Sequence, residues 1–156
     1  MKLLDRNSKT KKYMIRFFIT LSIMYGVYVG MLTSLQRTFL YHPPARKTSA
    51  DPPPKLVSQG LAQWWIDTPE GQTEAWFWQS PCATEASPGA AVMFAHGNAE
   101  LIDDWPMQLA PYRALGISIL LVEYRGYGRS AGAPSQASIT ADFVAGFDLL
   151  SKHPAV

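Results

Sequence analysis

Cysteine is almost absent: the 156 residues contain one, Cys82, so the chain has neither an internal disulfide framework nor a multi-cysteine zinc site. Charge is also sparse at 17%, against 47% hydrophobic and 12% aromatic residues, a balance that excludes a disordered polymer and suits one folded domain. No glycine-rich nucleotide fingerprint occurs, and the three histidines, His42, His96 and His153, are scattered, so no metal or organic cofactor is implied. The net charge of +2 is unevenly placed. Residues 1–16 carry six basic side chains and one acid, whereas residues 37–156 carry eight basic and eleven acidic ones. All of the basic excess lies in the first sixteen residues, which removes the electrostatic footprint of a nucleic-acid partner.

What is present, first of all, is a long uncharged run. Residues 17–36, FFITLSIMYGVYVGMLTSLQ, contain no formal charge, and twenty residues at about 1.5 Å rise match a hydrocarbon core of roughly 30 Å. Lys2, Arg6, Lys9, Lys11, Lys12 and Arg16 precede the run and Arg37 follows it. The positive-inside rule then predicts a cytoplasmic tail (1–16), a single-pass span (17–36) in a plasma or inner membrane, and a domain outside from residue 37. The run is long for a signal peptide and no Ala-x-Ala site follows, so an uncleaved anchor is expected. Gly26 and Gly30 form a GxxxG pair, which by itself predicts no dimer.

Pro43, Pro44, Pro52, Pro53 and Pro54 fall within twelve residues, so residues 37–60 read as a semi-rigid spacer lifting the next domain off the bilayer. His42 has no histidine or acid nearby and reads as a solvated linker residue. Beyond the spacer, aromatic-rich runs at Ala62–Asp67 and Thr73–Gln79 flank Thr68-Pro69-Glu70-Gly71. This predicts a β-hairpin whose tryptophans, Trp64, Trp65, Trp76 and Trp78, belong to the core or a sheet face. Residues 80–89 read as a loop carrying an unreactive surface thiol at Cys82. The continuous apolar runs Ala90–Ala95 and Ile117–Val122, separated by a helical stretch reaching Leu115, indicate a buried parallel βαβ unit. Asp104 is placed to cap that helix, Pro106 suits its first turn, and Pro111 should kink or shorten it. A last helix is expected over Ser138–Lys152, with Ile139, Phe143, Phe147 and Leu150 on one face and Pro154 ending it.

Two motifs stand at the ends of the apolar strands: His96-Gly97-Asn98-Ala99-Glu100, and Glu123-Tyr124-Arg125-Gly126-Tyr127-Gly128-Arg129-Ser130-Ala131-Gly132 followed by Pro134-Ser135. With this spacing, residues 37–153 resemble the N-terminal half of an α/β-hydrolase, in the membrane-anchored branch labelled serine-aminopeptidase-like or lysophospholipase-like. Glu123 stands where many relatives have Asp. The resemblance implies an incomplete α/β-hydrolase fold over residues 61–156, a hairpin plus the βαβα of a mostly parallel sheet. It also implies an oxyanion donor at the amide of Asn98, with His96 and Gly97 shaping the loop, since a glycine lets the main chain approach a substrate.

Gly128-Arg129-Ser130-Ala131-Gly132 also satisfies G-x-S-x-G, yet Ser130 reads as a decoy. A nucleophile elbow lies directly between a strand and a helix; here Tyr124–Tyr127 separate the strand from the motif and Pro134 precedes any helix. The remaining candidates, Asp142 or Asp148 with His153, would sit on or beside one helix. Asp142 and Asp148 diverge by about 240° around it, and Asp142 lies roughly 16 Å along it from His153. They cannot converge on Ser130. By the resemblance, the true nucleophile, acid and base would follow later segments, and a whole domain would need roughly 200–250 residues. The strand ending at Ala95 would then be an open edge. The expectation is the front of a truncated serine hydrolase, acting on esters, thioesters or amides in its intact form and inactive alone. Two alternatives are a non-catalytic anchored scaffold and one half of a split enzyme needing a C-terminal complementing chain.

Overall fold

A computed structural model describes the backbone of residues 2–45, 48 and 51–156, with side chains from Thr10 onward. Residues 46, 47, 49 and 50 of the expected spacer, and the side chains of Lys2, Arg6 and Lys9 in the expected basic tail, lie outside the described part. The chain divides into two compact units, residues 1–40 and 41–156.

The first unit is a single helix, α1 (Lys2–Leu40), which continues past both ends of the uncharged run. Its segment Thr10–Leu40 is long and apolar enough to cross a membrane. Phe17, Met24, Tyr25 and Val27 are all more than half exposed. The hydroxyls of Thr33 and Ser34 donate back to the carbonyls of Val29 and Gly30 at 2.8 Å, satisfying themselves within the helix.

The second unit is built on a mixed four-stranded sheet. The hairpin comprises β1 (Leu61–Thr68) and β2 (Gly71–Trp78), with Thr68 Oγ1 donating to Gly71 O across the turn at 2.7 Å. Then follow β3 (Ala91–Phe94) and β4 (Ser118–Val122), in spatial order β1-β2-β4-β3. The β3–β4 pair is parallel and the other two are antiparallel. Because side chains alternate along a strand, Ile119 and Leu121 face one layer and Leu120 and Val122 the other; both layers are buried, which explains the unbroken apolar run. One layer joins Leu61, Trp76, Trp78, Ile102 and Leu109; the other joins Ile66, Ala75, Phe77 and Leu150.

The helices differ in detail from the sequence reading. A short helix, α2 (Pro54–Ser58), occupies the end of the expected spacer. The stretch between β3 and β4 is a 3₁₀ turn at Ile102–Asp104 followed by α3 (Pro106–Ala114). Asp104 acts on the 3₁₀ turn, its carboxylate accepting from Leu101 N at 3.1 Å, and Trp105 precedes Pro106 at the start of α3. Pro111 lies inside α3, which is only nine residues long. The last helix, α4 (Gln136–Leu150), is capped by Ser135, whose Oγ accepts from Ser138 N at 3.0 Å. Its buried face is Ser138, Asp142, Gly146 and Leu150, whereas Phe147, expected inside, is 59% exposed. Small residues face the sheet because the helix packs closely: a Cβ on Gly146 would sit 3.2 Å from Val122 Cγ2.

Candidate active site

The two motifs meet at the carboxyl ends of β3 and β4, the end at which open α/β sheets place ligands. The parallel register brings Phe94 beside Leu121, so His96 and Glu123, each two residues further on, arrive together. His96 Nε2 lies 2.7 Å from Glu123 Oε1, both side chains being fully buried, and His96 Nδ1 lies 2.9 Å from Gly97 O. With an acceptor at each ring nitrogen, the imidazolium form satisfies both N–H groups. Burial alone lowers the His96 pKa, but the hydrogen bond and charge of Glu123, with the Gly97 carbonyl and Glu100, outweigh it and hold the pKa above its ordinary value. Glu123 also accepts from the amides of Tyr124 at 2.9 Å and Ile102 at 3.2 Å. Its carboxylate thus ties the end of β4 to both the HGN loop and the turn before α3.

The HGN loop is held from several sides. Gly97 N donates to Glu100 Oε2 at 2.7 Å, and Trp105 Nε1 donates to the same oxygen at 3.2 Å. Tyr124 Oη donates to His96 O at 2.6 Å. Ala99 adopts φ 61, a left-handed conformation that turns the chain sharply away from the strand. Asn98 Oδ1 accepts from Ala99 N at 3.0 Å, from Tyr127 Oη at 2.8 Å and from His42 N at 3.0 Å, and His42 N also donates to Tyr127 Oη at 2.9 Å. Burial pushes the Tyr127 phenol above its ordinary pKa, keeping the hydroxyl protonated. His42 is therefore not a free linker residue: although exposed, it is docked through its amide on the HGN loop.

The second loop is fixed by two arginines, Arg125 buried and Arg129 part-buried. Arg125 forms a two-point ion pair with Asp142, Nη2–Oδ1 at 2.5 Å and Nε–Oδ2 at 3.0 Å, and Thr73 Oγ1 donates to Asp142 Oδ2 at 3.2 Å. Arg129 Nε donates to Glu74 Oε2 at 2.6 Å, and its two terminal nitrogens lie 3.1 and 2.9 Å from the carboxylate of Asp103. Glu74 is completed by Trp76 Nε1 and Gln63 Nε2, each at 2.7 Å. Gly126, Gly128 and Gly132 all have positive φ; at Gly126 a Cβ would fall 2.9 Å from Gly132 O.

Ser130 is 9% exposed, and its Oγ accepts the amide of Glu74 at 3.0 Å. Asp142 is engaged by Arg125 and Thr73. His153 lies against Phe77, ring centroids 4.5 Å apart, with Nδ1 accepting from Ala155 N at 3.3 Å. Phe77 is three residues along β2 from Glu74, roughly 10 Å, and Asp148 lies on an exposed part of α4. The structure thus brings together His96, Gly97 and Asn98 but distributes Ser130, Asp142, Asp148 and His153 over separate contacts. Glu123, Tyr127, Glu100 and His42 are constituents of the site that motif reading gave no role. Among the described residues no group of three or more His, Cys, Asp or Glu is placed to hold a metal ion.

An esterase of Pyrococcus furiosus superposes on 73% of this chain and 44% of its own with a TM-score of 0.54, at 17% identity. The fold is α/β-hydrolase-like. No protein-family model matches the chain. Among curated proteins it is similar to protein bem46 of Schizosaccharomyces pombe, 26% identical over 130 residues, covering 81% of this chain and 43% of the relative. It is also 32% identical over 126 residues to an uncharacterised protein of Mycobacterium tuberculosis, covering 79% of this chain and 42% of that one. A shorter match, 38% identical over 61 residues, is to epoxide hydrolase 1 of Siraitia grosvenorii, covering 39% of this chain and 20% of that one. The α/β-hydrolase-like chain spans less than half the length of these curated relatives.

Proposed function

We propose that this chain is the N-terminal portion of a single-pass, membrane-anchored serine hydrolase. The observation that carries the reading is the junction of the HGN loop with the Glu123–Ser130 loop at the carboxyl ends of two parallel strands, in a fold shared with an esterase. In the reaction, an ester, thioester or amide carbonyl is attacked by a serine and the carbonyl oxygen becomes an anion. The amide of Asn98 donates a hydrogen bond to that oxygen, and the Glu100 and Tyr127 contacts keep the loop from moving as the charge develops. The serine, acid and base belong to segments beyond these residues, and Ser130 serves the fold. The basic tail is cytoplasmic, and the hydrolase unit lies outside a plasma or inner membrane.

The experiment is to isolate from membranes the native polypeptide carrying the HGNAE and YRGYGRS peptides, measure its mass, and treat it with a fluorophosphonate probe. A labelled species well above 17.3 kDa is the expected result. An unlabelled species of 17.3 kDa would favour a second reading, a split or non-catalytic half that binds another chain. The feature favouring that reading is β3, which is half-buried and lies at the edge of the sheet.

A further inference from the structure

His42 holds both ends of one side-chain amide. Its backbone N–H donates to Asn98 Oδ1 at 3.0 Å and to Tyr127 Oη at 2.9 Å, and its ring Nδ1 lies 3.3 Å from Asn98 Nδ2. Two backbone N–H groups, those of His42 and Ala99, point at Oδ1, and since each can only donate, the orientation of the amide is fixed. Nδ2 is then the donor to the ring, so Nδ1 presents its lone pair and the imidazole is neutral, with its proton on Nε2. Tyr127 Oη closes a triangle: it accepts from His42 N and donates to Oδ1 at 2.8 Å. Bonds linked in this way strengthen one another. Pro43 keeps residue 42 out of the helical region and Pro44 restricts the chain beyond it, so the segment is partly ordered before it docks.

We propose that His42 is a positioning residue of the candidate oxyanion site: its backbone N–H and its neutral imidazole together fix the Asn98 side chain, and through it the direction of the Asn98 main-chain amide. This rests on the serine-hydrolase reading and adds to it a residue 56 positions upstream of the loop. The peptide that carries the oxyanion donor joins Gly97 to Asn98. Gly97 has no side chain to hold that peptide, so its direction depends on the Glu100 bond to Gly97 N and on the anchoring of Asn98. A donor stabilises a developing oxyanion only where it is already aimed, and a displacement of about 1 Å costs on the order of 10²-fold in rate. His42 touches neither substrate nor reacting atoms; it acts through Asn98.

The first test is spectroscopic and needs no turnover. The chain has two asparagines, Asn7 and Asn98, so the full chain grown on ¹⁵N-asparagine and placed in micelles gives two side-chain amide pairs, and Asn7→Ser leaves that of Asn98 alone. The Asn98 Nδ2 protons should exchange with water roughly fivefold more slowly than those of free asparagine, as one net hydrogen bond supports. His42→Ala removes the ring acceptor and keeps the N–H. It should return the exchange to the free value and shift the Asn98 main-chain amide signal. His42→Asn sets an oxygen acceptor where Nδ1 stood and should retain both wild-type features.

The second test is the rate of fluorophosphonate labelling of the native membrane polypeptide carrying the same substitutions. His42→Ala should lower the rate at saturating probe by about tenfold, and His42→Pro, which also removes the donating N–H, by about a hundredfold. The probe concentration at half-saturation and the final labelled fraction should not change, whereas a loss of fold would lower the fraction. His42→Asn should recover the wild-type rate to within about twofold, since its acceptor serves Asn98 Nδ2 in the same way. Asn98 signals that are alike in wild type and His42→Ala, a reduced labelled fraction at an unchanged rate, or a His42→Asn protein that behaves as His42→Ala would each overturn the proposal. A wild-type polypeptide that takes no label ends the hydrolase reading instead, and the Asn98 signals still decide whether His42 sets that amide.

Discussion

His96 and Glu123, 27 residues apart in sequence, form a buried pair at 2.7 Å that joins the ends of two parallel strands and sets the origin of both loops of the candidate site. Everything nearer to a substrate is hung from this contact: Gly97 and Asn98 follow His96 directly, and Tyr127 follows Glu123 by one turn of loop.

The pair makes stability depend on pH. Burial by itself lowers the His96 pKa, but Glu123 and the Gly97 carbonyl raise it above 6.5 overall. A group whose pKa rises on folding holds its proton more tightly in the native state. Its contribution is therefore complete below the unfolded value and is lost as pH rises through the folded one. The guanidinium midpoint of the full chain in micelles, followed by tryptophan fluorescence, should fall as pH increases from about 6.5. His96→Gln should flatten that slope. A midpoint that climbs over the same interval contradicts the assignment.

Ser130→Ala should affect stability and not chemistry. The substitution leaves the buried amide of Glu74 without its acceptor, which costs about 1–3 kcal/mol. Thermal unfolding of the variant should report that loss. Fluorophosphonate labelling of the intact native species should be unchanged, and loss of labelling in a folded variant would restore Ser130 as nucleophile.

Asp142→Ala leaves the guanidinium of Arg125, whose side chain is 6% exposed, with only the half-exposed carboxylate of Glu70 at 3.6 Å, and should destabilise the unit by roughly 3 kcal/mol. The double substitution Arg125→Met, Asp142→Leu removes both charges and should recover most of that loss. Additive losses in this double-mutant cycle would show that the two side chains are not coupled.

Gly126→Ala tests the second loop. A Cβ at this position meets Gly132 O and the Pro134 ring, both at 2.9 Å, and the φ of 78 is itself unfavourable for alanine by about 1–2 kcal/mol. The expected loss is about 2 kcal/mol or more, with faster proteolysis of residues 124–134. Wild-type stability in the variant would mean that the turn tolerates a side chain.

Local pattern decided the parts of this protein that depend on neighbours in sequence. The uncharged run marked the middle of α1, which continues past it at both ends. Aromatic-rich runs on either side of Pro69-Glu70-Gly71 marked the β1–β2 hairpin, and unbroken apolar runs marked β3 and β4 as strands, β4 buried and β3 half-buried. The HGN and YRGYGRS segments likewise lie at strand ends, where the positive φ of Gly126 and Gly128 turns the chain out of the extended conformation. Pro111 lies within the nine-residue α3, which continues past it to Ala114.

Tertiary structure decided the rest. Phe147 belongs to the apolar periodicity of α4, yet the close approach of the helix at Gly146 and the charge of Arg125 seeking Asp142 turn a different face to the sheet. Packing distance and ion pairing outweigh the hydrophobic stripe there. Glu123 reads in sequence as a polar end to a strand; only the parallel register, which brings β3 alongside β4, gives it His96 as a partner. Most of all, His42 looks like solvated linker because its partners, Asn98 and Tyr127, lie 56 and 85 residues away and are bound through a backbone amide. Every non-proline residue carries that group, so no side-chain pattern can announce its use.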